Sequence, residues 1–260
     1  MIDLKPGAGG MIGAQHVVRA APDGHTLLVA SSSLTTGAAI NKKLPFDVTR
    51  DLAPVTVMTK RTLLLISHPA LPVKNAAEYI ALVRQRPGQI NFGSIGNGSA
   101  THLAAELLKQ MTGTAISNVP FKDSLEMHRA VAGGDVSFSF DSYASPKGLI
   151  EAGRLRAIAV TSRERPASVP AIPAIAESVA GFELESWTGL ATPTGVPAEA
   201  HARLTSELRA IMQSAEWKQL MTNNGVEAGG GTPEDFSRRI AADFEKFGRV
   251  LQAAGLKPES

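Results

Sequence analysis

Short β-rich runs alternate with amphipathic helical stretches along most of the 260 residues of this chain. This alternation constrains the fold more than any other feature, because a helix between two strands packs against the sheet that the strands form. We therefore predict an α/β protein with mostly parallel sheets. The predicted strands cover residues 26–30, 55–58, 63–67, 90–92, 136–140, 155–161 and 185–191. The predicted helices start near Gly10, Ala76, Ser99, Ser124, Pro146, Ala198 and Thr232.

Composition and charge exclude several classes of protein. Apolar residues make up 43% of the chain and charged residues 19%, the balance of an ordinary globular protein. The formal net charge is +2, and no basic stripe or tail indicates a nucleic-acid partner. The absence of cysteine excludes disulfides, thiolate metal sites and cysteine nucleophiles. No apolar run has the length of a membrane span, and the first ten residues do not form a signal peptide.

Two extended apolar segments contain no helical stretch: "LAPVTVMTKRTLLLIS" and, far downstream, "FELESWTGLATP". The chain is long enough for one large domain or two small lobes. Two such segments suit a chain that crosses from one lobe to the other and later returns. Two antiparallel strands in a single sheet would give the same pattern, so both arrangements stay open.

The last predicted helix has the clearest pattern. Thr232 can cap it, Pro233 suits its first turn, and the acidic residues that follow complement its positive end. Apolar residues then recur at steps of three or four along one face: Phe236, Ile240, Phe244, Phe247 and Leu251. This helix is predicted to pack on a core and to have a structural role.

A glycine-rich loop in the segment "NFGSIGNGSATHLAAELL" joins a predicted strand to a helical run. The first amides of that helix have no internal partners, and the helix dipole places partial positive charge there. Gly96 and Gly98 would let an anion approach these amides, and Asn97, Ser99 and Thr101 add neutral donors. The loop could therefore hold a carboxylate or a phosphate without Lys or Arg. A glycine-rich turn capped by Ser99, with no ligand, is the alternative.

The spacing of the loop glycines argues against nucleotide binding. The dinucleotide fingerprint requires G-x-G-x-x-G, whereas this loop has G-x-x-G-x-G. A phosphate loop requires Gly-Lys-Ser/Thr, but here Gly98 is followed by Ser99 and Ala100. The Gly-x-Ser-x-Gly elbow of hydrolases is also absent. We therefore predict no cofactor.

Other candidate ligand contacts lie near predicted strand ends, where ligands of open α/β sheets bind. Ser31, Ser32 and Ser33 follow one strand, and Asp141 ends another. A solvated turn is the alternative explanation for the serines, and a helix cap for Asp141. His102 is the one histidine near the glycine-rich loop, where the helix dipole favours its neutral form.

No set of residues indicates catalysis or metal binding. The six histidines are scattered, and none has a metal-binding spacing. No serine and histidine have the spacing of a nucleophile with its base. We predict no catalytic residue, no metal and no enzyme activity. A hydrolase that uses Ser99, His102 and Asp141 is the remote alternative.

Several segments, in this order and spacing, resemble the Bug-type, TctC-like substrate-binding proteins of tripartite tricarboxylate transport. The resemblance covers essentially the whole chain. It is carried by "KPGAGGMIGAQHVVRAAPDGHTLLVASSS", "LPFDVTRDLAPVTVM", "PGQINFGSIGNGSATHLAAELLKQMTG", "NVPFKD", "VSFSFDS", "EAGRLRAIAVTSRER", "SWTGLATPTGVP" and "GGTPEDF". It implies a two-lobed periplasmic binding protein fold of type II topology, with the ligand in the cleft between the lobes. The lobes would be residues 1–60 plus 188–260 and residues 61–187, with hinge crossings near 52–66 and 183–192.

The resemblance also implies binding positions, partners and a location. The motif positions are Ser31 to Ser33, Gly96 to Ser99, Thr101, His102 and Asp141. The implied partners are a small carboxylate and the membrane subunits of a tripartite tricarboxylate transporter. A ligand sensor that feeds a partner such as a sensor kinase is the alternative. We expect a periplasmic monomer with no nucleic-acid partner.

Two features depart from the family pattern. The family's "PYKG" is Pro120-Phe121-Lys122-Asp123 here, so Asp123 would repel a carboxylate, or select a ligand with a cation, if this loop faces the cleft. The family's signal peptide and opening strand–loop–helix unit, with its Pro-Gly-Gly turn, have no counterpart before "KPGAGG". The chain therefore resembles an N-terminally truncated member, and its periplasmic location rests on the resemblance.

Overall fold

The computed structural model describes residues 1–5, 7, 10–41, 43–96, 98–223, 226–253 and 255. In this part of the chain the helices are α1 (Met11–Val18), α2 (Ser32–Ile40), α3 (Ala76–Gln85), α4 (Ala100–Thr112), α5 (Ser124–Gly133), α6 (Lys147–Glu151), α7 (Ala198–Gln213), α8 (Ala215–Asn223) and α9 (Pro233–Ala253). The strands are β1 (Leu28–Ser31), β2 (Leu52–Ser67), β3 (Asn91–Ser94), β4 (Ser117–Pro120), β5 (Phe138–Ser142), β6 (Arg156–Val160), β7 (Glu185–Pro193) and β8 (Glu227–Gly230). No helix in these ranges combines the length and the hydropathy that a bilayer crossing requires.

The chain forms two compact units. The first consists of Met1–Lys60 and Ser186–Ser260, and the second is Arg61–Glu185. The unit boundaries fall within β2 and at the start of β7. These two strands correspond to the extended apolar segments of the sequence.

The first unit contains a sheet in the order β1-β7-β2-β8, to which β2 contributes its first half. β1 and β7 are antiparallel, with Ala30 opposite Gly189, and β2 and β8 are antiparallel, with Val57 opposite Gly230. The core of this unit consists of apolar side chains from the sheet and from α1, α2 and α9. Helices α2 and α9 also pack directly against each other.

Helix α9 packs on this core, as its apolar pattern predicts. The hydroxyl of Thr232 caps the helix by accepting a hydrogen bond from the amide of a first-turn residue (3.2 Å). Phe236 meets Trp187 edge to face, with 4.9 Å between ring centroids, and the Trp187 indole N–H donates to buried Asp243 (2.8 Å). Phe244, however, is 37% exposed, so the predicted apolar face is wrong at this position. The adjacent Asp243 points inward instead, because the indole satisfies its carboxylate.

The second unit contains a sheet in the order β4-β3-β5-β2-β6. Helices α4 and α5 contact β3 and β5 from opposite faces. Phe92 of β3 stacks against His102 of α4, whereas a Cβ on the adjacent Gly93 would lie 2.8 Å from Met127 of α5. Because β3 is parallel to β4 and β5, the carboxyl ends of these strands meet at one edge. Both helices begin at that edge.

The structure corrects the prediction of mostly parallel sheets. β3 pairs in parallel with β4 and β5, but β1 with β7, and β2 with β5, β6 and β8, are antiparallel. The reason is β2, a continuous strand of 16 residues that joins two predicted strands. β5, β6 and β8 all run in the direction opposite to β2, so each pair that they form with it is antiparallel. The sequence pattern also fails to predict α2, α8, β4 and β8.

Gly189 tests the packing of the first unit. A Cβ at this position would lie 2.5 Å from Cζ of Phe236 and 2.7 Å from the carbonyl oxygen of Thr56. Overpacking by Gly189→Ala should therefore lower the free energy of unfolding by about 1–3 kcal/mol. The control is Gly248→Ala in α9, where nothing lies within 4 Å of the new Cβ. That change should stabilise the protein by up to about 1 kcal/mol. Urea unfolding followed by circular dichroism measures both, and equal stability of the two variants would contradict this packing.

Candidate functional site

The loop between β3 and α4 is held by the hydroxyl groups of Ser99 and Thr101. Ser99 is the N-cap of α4: its Oγ accepts from the amide of His102 (3.2 Å) and donates to the carbonyl oxygen of Gly96 (2.7 Å). Thr101 Oγ1 accepts from the amide of Ile95 (3.0 Å) and lies 2.9 Å from Ser99 Oγ. Because the Ser99 hydrogen is directed to Gly96, Thr101 is the donor between the two hydroxyls. Both hydroxyl hydrogens are therefore committed within the loop.

The loop glycines adopt a backbone conformation that other residues rarely adopt. Gly96 has a φ of 103° and Gly98 a φ of 76°. The amide of Gly98 donates to Nδ1 of His102 (3.0 Å). The structure thus brings together five of the predicted loop residues: Gly96, Gly98, Ser99, Thr101 and His102. Asn97, the sixth, lies outside the described residues.

The ring of His102 is buried, with 4% of the residue exposed. It stacks on Phe92 of β3 with 6.1 Å between ring centroids. Its Nε2 lies 3.7 Å from Oε1 of Glu106, which Nζ of Lys109 contacts at 2.7 Å. Burial acts to raise the pKa of Glu106, but the contacts with His102 and Lys109 outweigh burial and lower this pKa. The ring of His102 is therefore packed between the loop and β3 and is not presented to solvent.

The first turn of α4 leaves two amides open. The N–H groups of Ala100 and Thr101 donate no hydrogen bond to any described residue, as expected for the first positions of a helix. Ser94, the last residue of β3, shares the α4 face with Phe92. It is fully buried, and its hydroxyl also lacks a partner within the described ranges. These donors, together with the helix dipole, can stabilise a negatively charged group.

Asp141 is the last but one residue of β5 and faces α5, on the opposite side of the sheet from α4. It is 6% exposed, and its Oδ2 lies 3.0 Å from Nε2 of buried His128. Its Oδ1 accepts from the amide of Ser142 (2.7 Å). Burial acts to raise the pKa of Asp141, but the contacts with His128, Ser124 and the Ser142 amide outweigh it, and the pKa is lowered. The sequence does not predict that His128 and Ser124 contact Asp141. The two residues are one turn apart in α5, but no local spacing relates them to Asp141.

Asp123 caps helix α5. Its Oδ1 accepts from the amide of Glu126 (2.8 Å), and the Glu126 carboxylate accepts in return from the amide of Lys122 (3.3 Å). The arrangement resembles a capping box, except that Glu126 accepts from the amide of the residue before the N-cap and not from the N-cap amide itself. The aspartate that departs from the family pattern therefore has a structural explanation in the start of α5.

Ser31, Ser32 and Ser33 lie at the start of α2, so the alternative that they form a turn is corrected. Ser31 is the N-cap residue, while Ser32 and Ser33 are the first helical residues. Oγ of Ser31 lies 2.7 Å from Oγ of Ser33, and Oγ of Ser32 lies 3.0 Å from Oγ of Ser186. Their hydroxyls are thus engaged with other hydroxyls of the same unit.

The fold and this site together define an α/β binding protein. Its loop offers backbone amides, while the nearby hydroxyl and imidazole groups hold the loop in place. In the ranges that the structure describes, no group of His, Asp and Glu side chains could hold a metal ion. A family model described as "Tripartite tricarboxylate transporter family receptor" matches residues 1–256. The chain belongs to this family, a family of receptors.

Individual relatives agree with this assignment. Protein BugT of Bordetella pertussis (strain Tohama I) is 30% identical over 260 residues, which cover 99% of this chain and 80% of BugT. The solved structure of R. palustris Rpa4515 with adipate has a TM-score of 0.77 and 34% identity, covering 100% of this chain and 87% of the other. MatC (Rpa3494) from Rhodopseudomonas palustris with bound malate has a TM-score of 0.68 and 25% identity, covering 94% and 85%. The predicted family and the predicted α/β fold of periplasmic solute-binding proteins are confirmed.

Asp141 generates a prediction about stability and pH. Because its pKa is lowered in the folded state, its stabilising contribution is present above the unfolded pKa of about 3.9 and is lost as pH falls through the lower folded value. Asp141→Asn should cost about 1–3 kcal/mol of unfolding free energy near neutral pH, and this cost should shrink below about pH 4. Urea unfolding over a pH series measures both effects.

Asp123→Asn is the matched control, because asparagine caps a helix as well as aspartate does. It should change the unfolding free energy by less than about 0.5 kcal/mol. A cost at Asp141 that is the same at neutral and acidic pH would show that its charge does not matter.

Proposed function

We propose that this chain is an extracytoplasmic receptor that binds a small organic carboxylate at the start of α4. The observation that carries the proposal is the pair of open amides of Ala100 and Thr101, at the positive end of a helix of 13 residues. A carboxylate has two oxygens and a single charge, which two adjacent amides can satisfy. No Lys or Arg occurs between Ser94 and Thr101 to neutralise the larger charge of a phosphate.

The proposed contacts are mainly those of the backbone. Gly96 and Gly98 would let the ligand approach, the amides of Ala100 and Thr101 would bind it, and Asn97 would add a neutral donor. The side chains of Ser99, Thr101 and His102 would fix these groups in position. Ser31 to Ser33 and Asp141 stay candidates for further contacts, since they lie within two residues of the carboxyl end of β1 or β5.

The ligand class has support from the relatives. Rpa4515 was solved with adipate and MatC with malate. Adipate and malate are both small dicarboxylates. We further propose that the protein acts in the periplasm and delivers its ligand to the membrane subunits of a tripartite tricarboxylate transporter. Membership of the transporter receptor family supports this delivery. Loss of uptake of the bound acid on deletion of the gene, restored by the gene in trans, would test it.

Titration calorimetry with adipate, malate and citrate tests the binding itself. The folded protein should bind at least one of these acids. For a bound adipate the matched control is adipamide, which keeps the carbon chain but lacks the charge. It should bind at least about tenfold more weakly, because charge-assisted hydrogen bonds are about twice as strong as neutral ones. Failure of every acid with a demonstrably folded protein, or equal binding of acid and amide, would overturn the proposal.

Gly98→Val tests the approach to the amides. A branched side chain at a φ of 76° is strained and would stand beside the open amides. The strain alone should cost roughly 1–3 kcal/mol of stability. Binding of the acid should in addition weaken by at least about tenfold, the equivalent of one good hydrogen bond.

Gly88→Val is the control, since Gly88 has a similar φ of 73° and precedes the opposite end of β3. This variant should carry the same strain and bind the acid as the wild-type chain does. If both variants lose stability and affinity to the same extent, the glycine at position 98 serves the turn alone.

A further inference from the structure

The hydrogen bond from the Gly98 amide to Nδ1 of His102 joins the loop to the helix that follows it. We propose that His102 is a positioning residue, which holds the glycine-rich loop in its ligand-binding form through this bond and only while Nδ1 is unprotonated. The inference rests on the proposed function for its consequence in binding. The bond itself, however, can be tested without any ligand.

The geometry fixes the tautomer of the ring. An N–H group donates to Nδ1 at 3.0 Å, so Nδ1 must present a lone pair. In the neutral ring the hydrogen is therefore on Nε2, on the side of Glu106. Protonation of Nδ1 would set two N–H groups against each other. The Gly98 amide would then have to move away, and the loop would move with it.

The surroundings of the ring hold it in this orientation. On its own helix its Nε2 side faces the carboxylate of Glu106, which Nζ of Lys109 contacts at 2.7 Å. On β3 it meets the uncharged ring of Phe92. On β5, which also packs against α4, the charged residue is Asp141, and this carboxylate contacts His128 on the opposite face. The Nδ1 side of the ring is thus the side that faces the Gly98 amide.

Among the described side chains, His102 is the one that accepts a hydrogen bond from the Gly98 amide. Ser99 and Thr101 hold the loop at Gly96 and Ile95. The Gly98 amide, which lies between these anchors and the open amides, has His102 as its partner. Removal of this acceptor would release Gly98, one of the two glycines that are proposed to let the ligand approach, while both hydroxyl anchors persist.

Two amide substitutions separate this role from simple packing. In Asn the side-chain oxygen is as many bonds from the backbone as Nδ1 is, so His102→Asn can still accept from the Gly98 amide. In Gln the polar end reaches the position of Nε2, so His102→Gln can contact Glu106 but not Gly98. Both variants lose the stacking on Phe92. The two therefore differ in the hydrogen bond under test.

The first readout is ligand-free. In the full-length chain, long-range ¹⁵N–¹H spectra should show Nδ1 of His102 as unprotonated near neutral pH. Exchange of the Gly98 amide hydrogen should be at least about tenfold faster in His102→Gln than in His102→Asn, as expected for the loss of one hydrogen bond. Equal exchange in both variants, or a hydrogen on Nδ1, would overturn the inference whether or not any acid binds.

The second readout is binding of the acid found by calorimetry among adipate, malate and citrate. His102→Asn should bind it at least about fivefold more tightly than His102→Gln, within the range of one neutral hydrogen bond. Equal affinity of the two variants would overturn the positioning role. Failure of all three acids with the wild type would instead overturn the proposed function.

Discussion

Strand β2 is paired in the sheets of both units, and the positions of the other functional elements follow from it. Its second half pairs with β5, so that Leu64 lies opposite Asp141 and Ile66 opposite Ser139. β5 then pairs in parallel with β3, with Ser139 opposite Gly93. The end of β3, where the glycine-rich loop begins, is thereby placed at the same edge as Asp141. A shift of β2 by one residue would reverse the face of every side chain along it.

The proposed anion site in the glycine-rich loop contains no cationic side chain. Its hydroxyl and imidazole groups are satisfied by one another and by backbone groups, which fixes the loop without a ligand. What stays open is a pair of backbone amides, and these cannot rotate away as a lysine side chain could. Preorganised dipoles of this kind lose little conformational entropy on binding. A receptor that must release its ligand gains from such moderate, directional contacts.

The sequence predicts the glycine-rich loop and α9 better than it predicts the sheets, for physical reasons. The loop and α9 are predictable because glycine spacing, caps and apolar periodicity are local signals. Helix α2 is not, since its run of Ser and Thr has low helix propensity. It forms because Thr35 and Thr36 donate to the carbonyl oxygen of Ser32 and because the helix packs against α9. The contact of His128 with Asp141 depends on strand pairing, which no local spacing records.

The comparison of α4 with α5 supports the proposal that an external acid binds at α4 alone. Both helices begin at the same edge of the sheet, on opposite faces. At α5 the chain supplies its own carboxylates, because Asp123 caps the first turn and Asp141 contacts Ser124 and His128. At α4 the cap is the neutral hydroxyl of Ser99, and the described residues place no carboxylate against the open amides. The proposed ligand would therefore supply at α4 the negative charge that the chain itself supplies at α5.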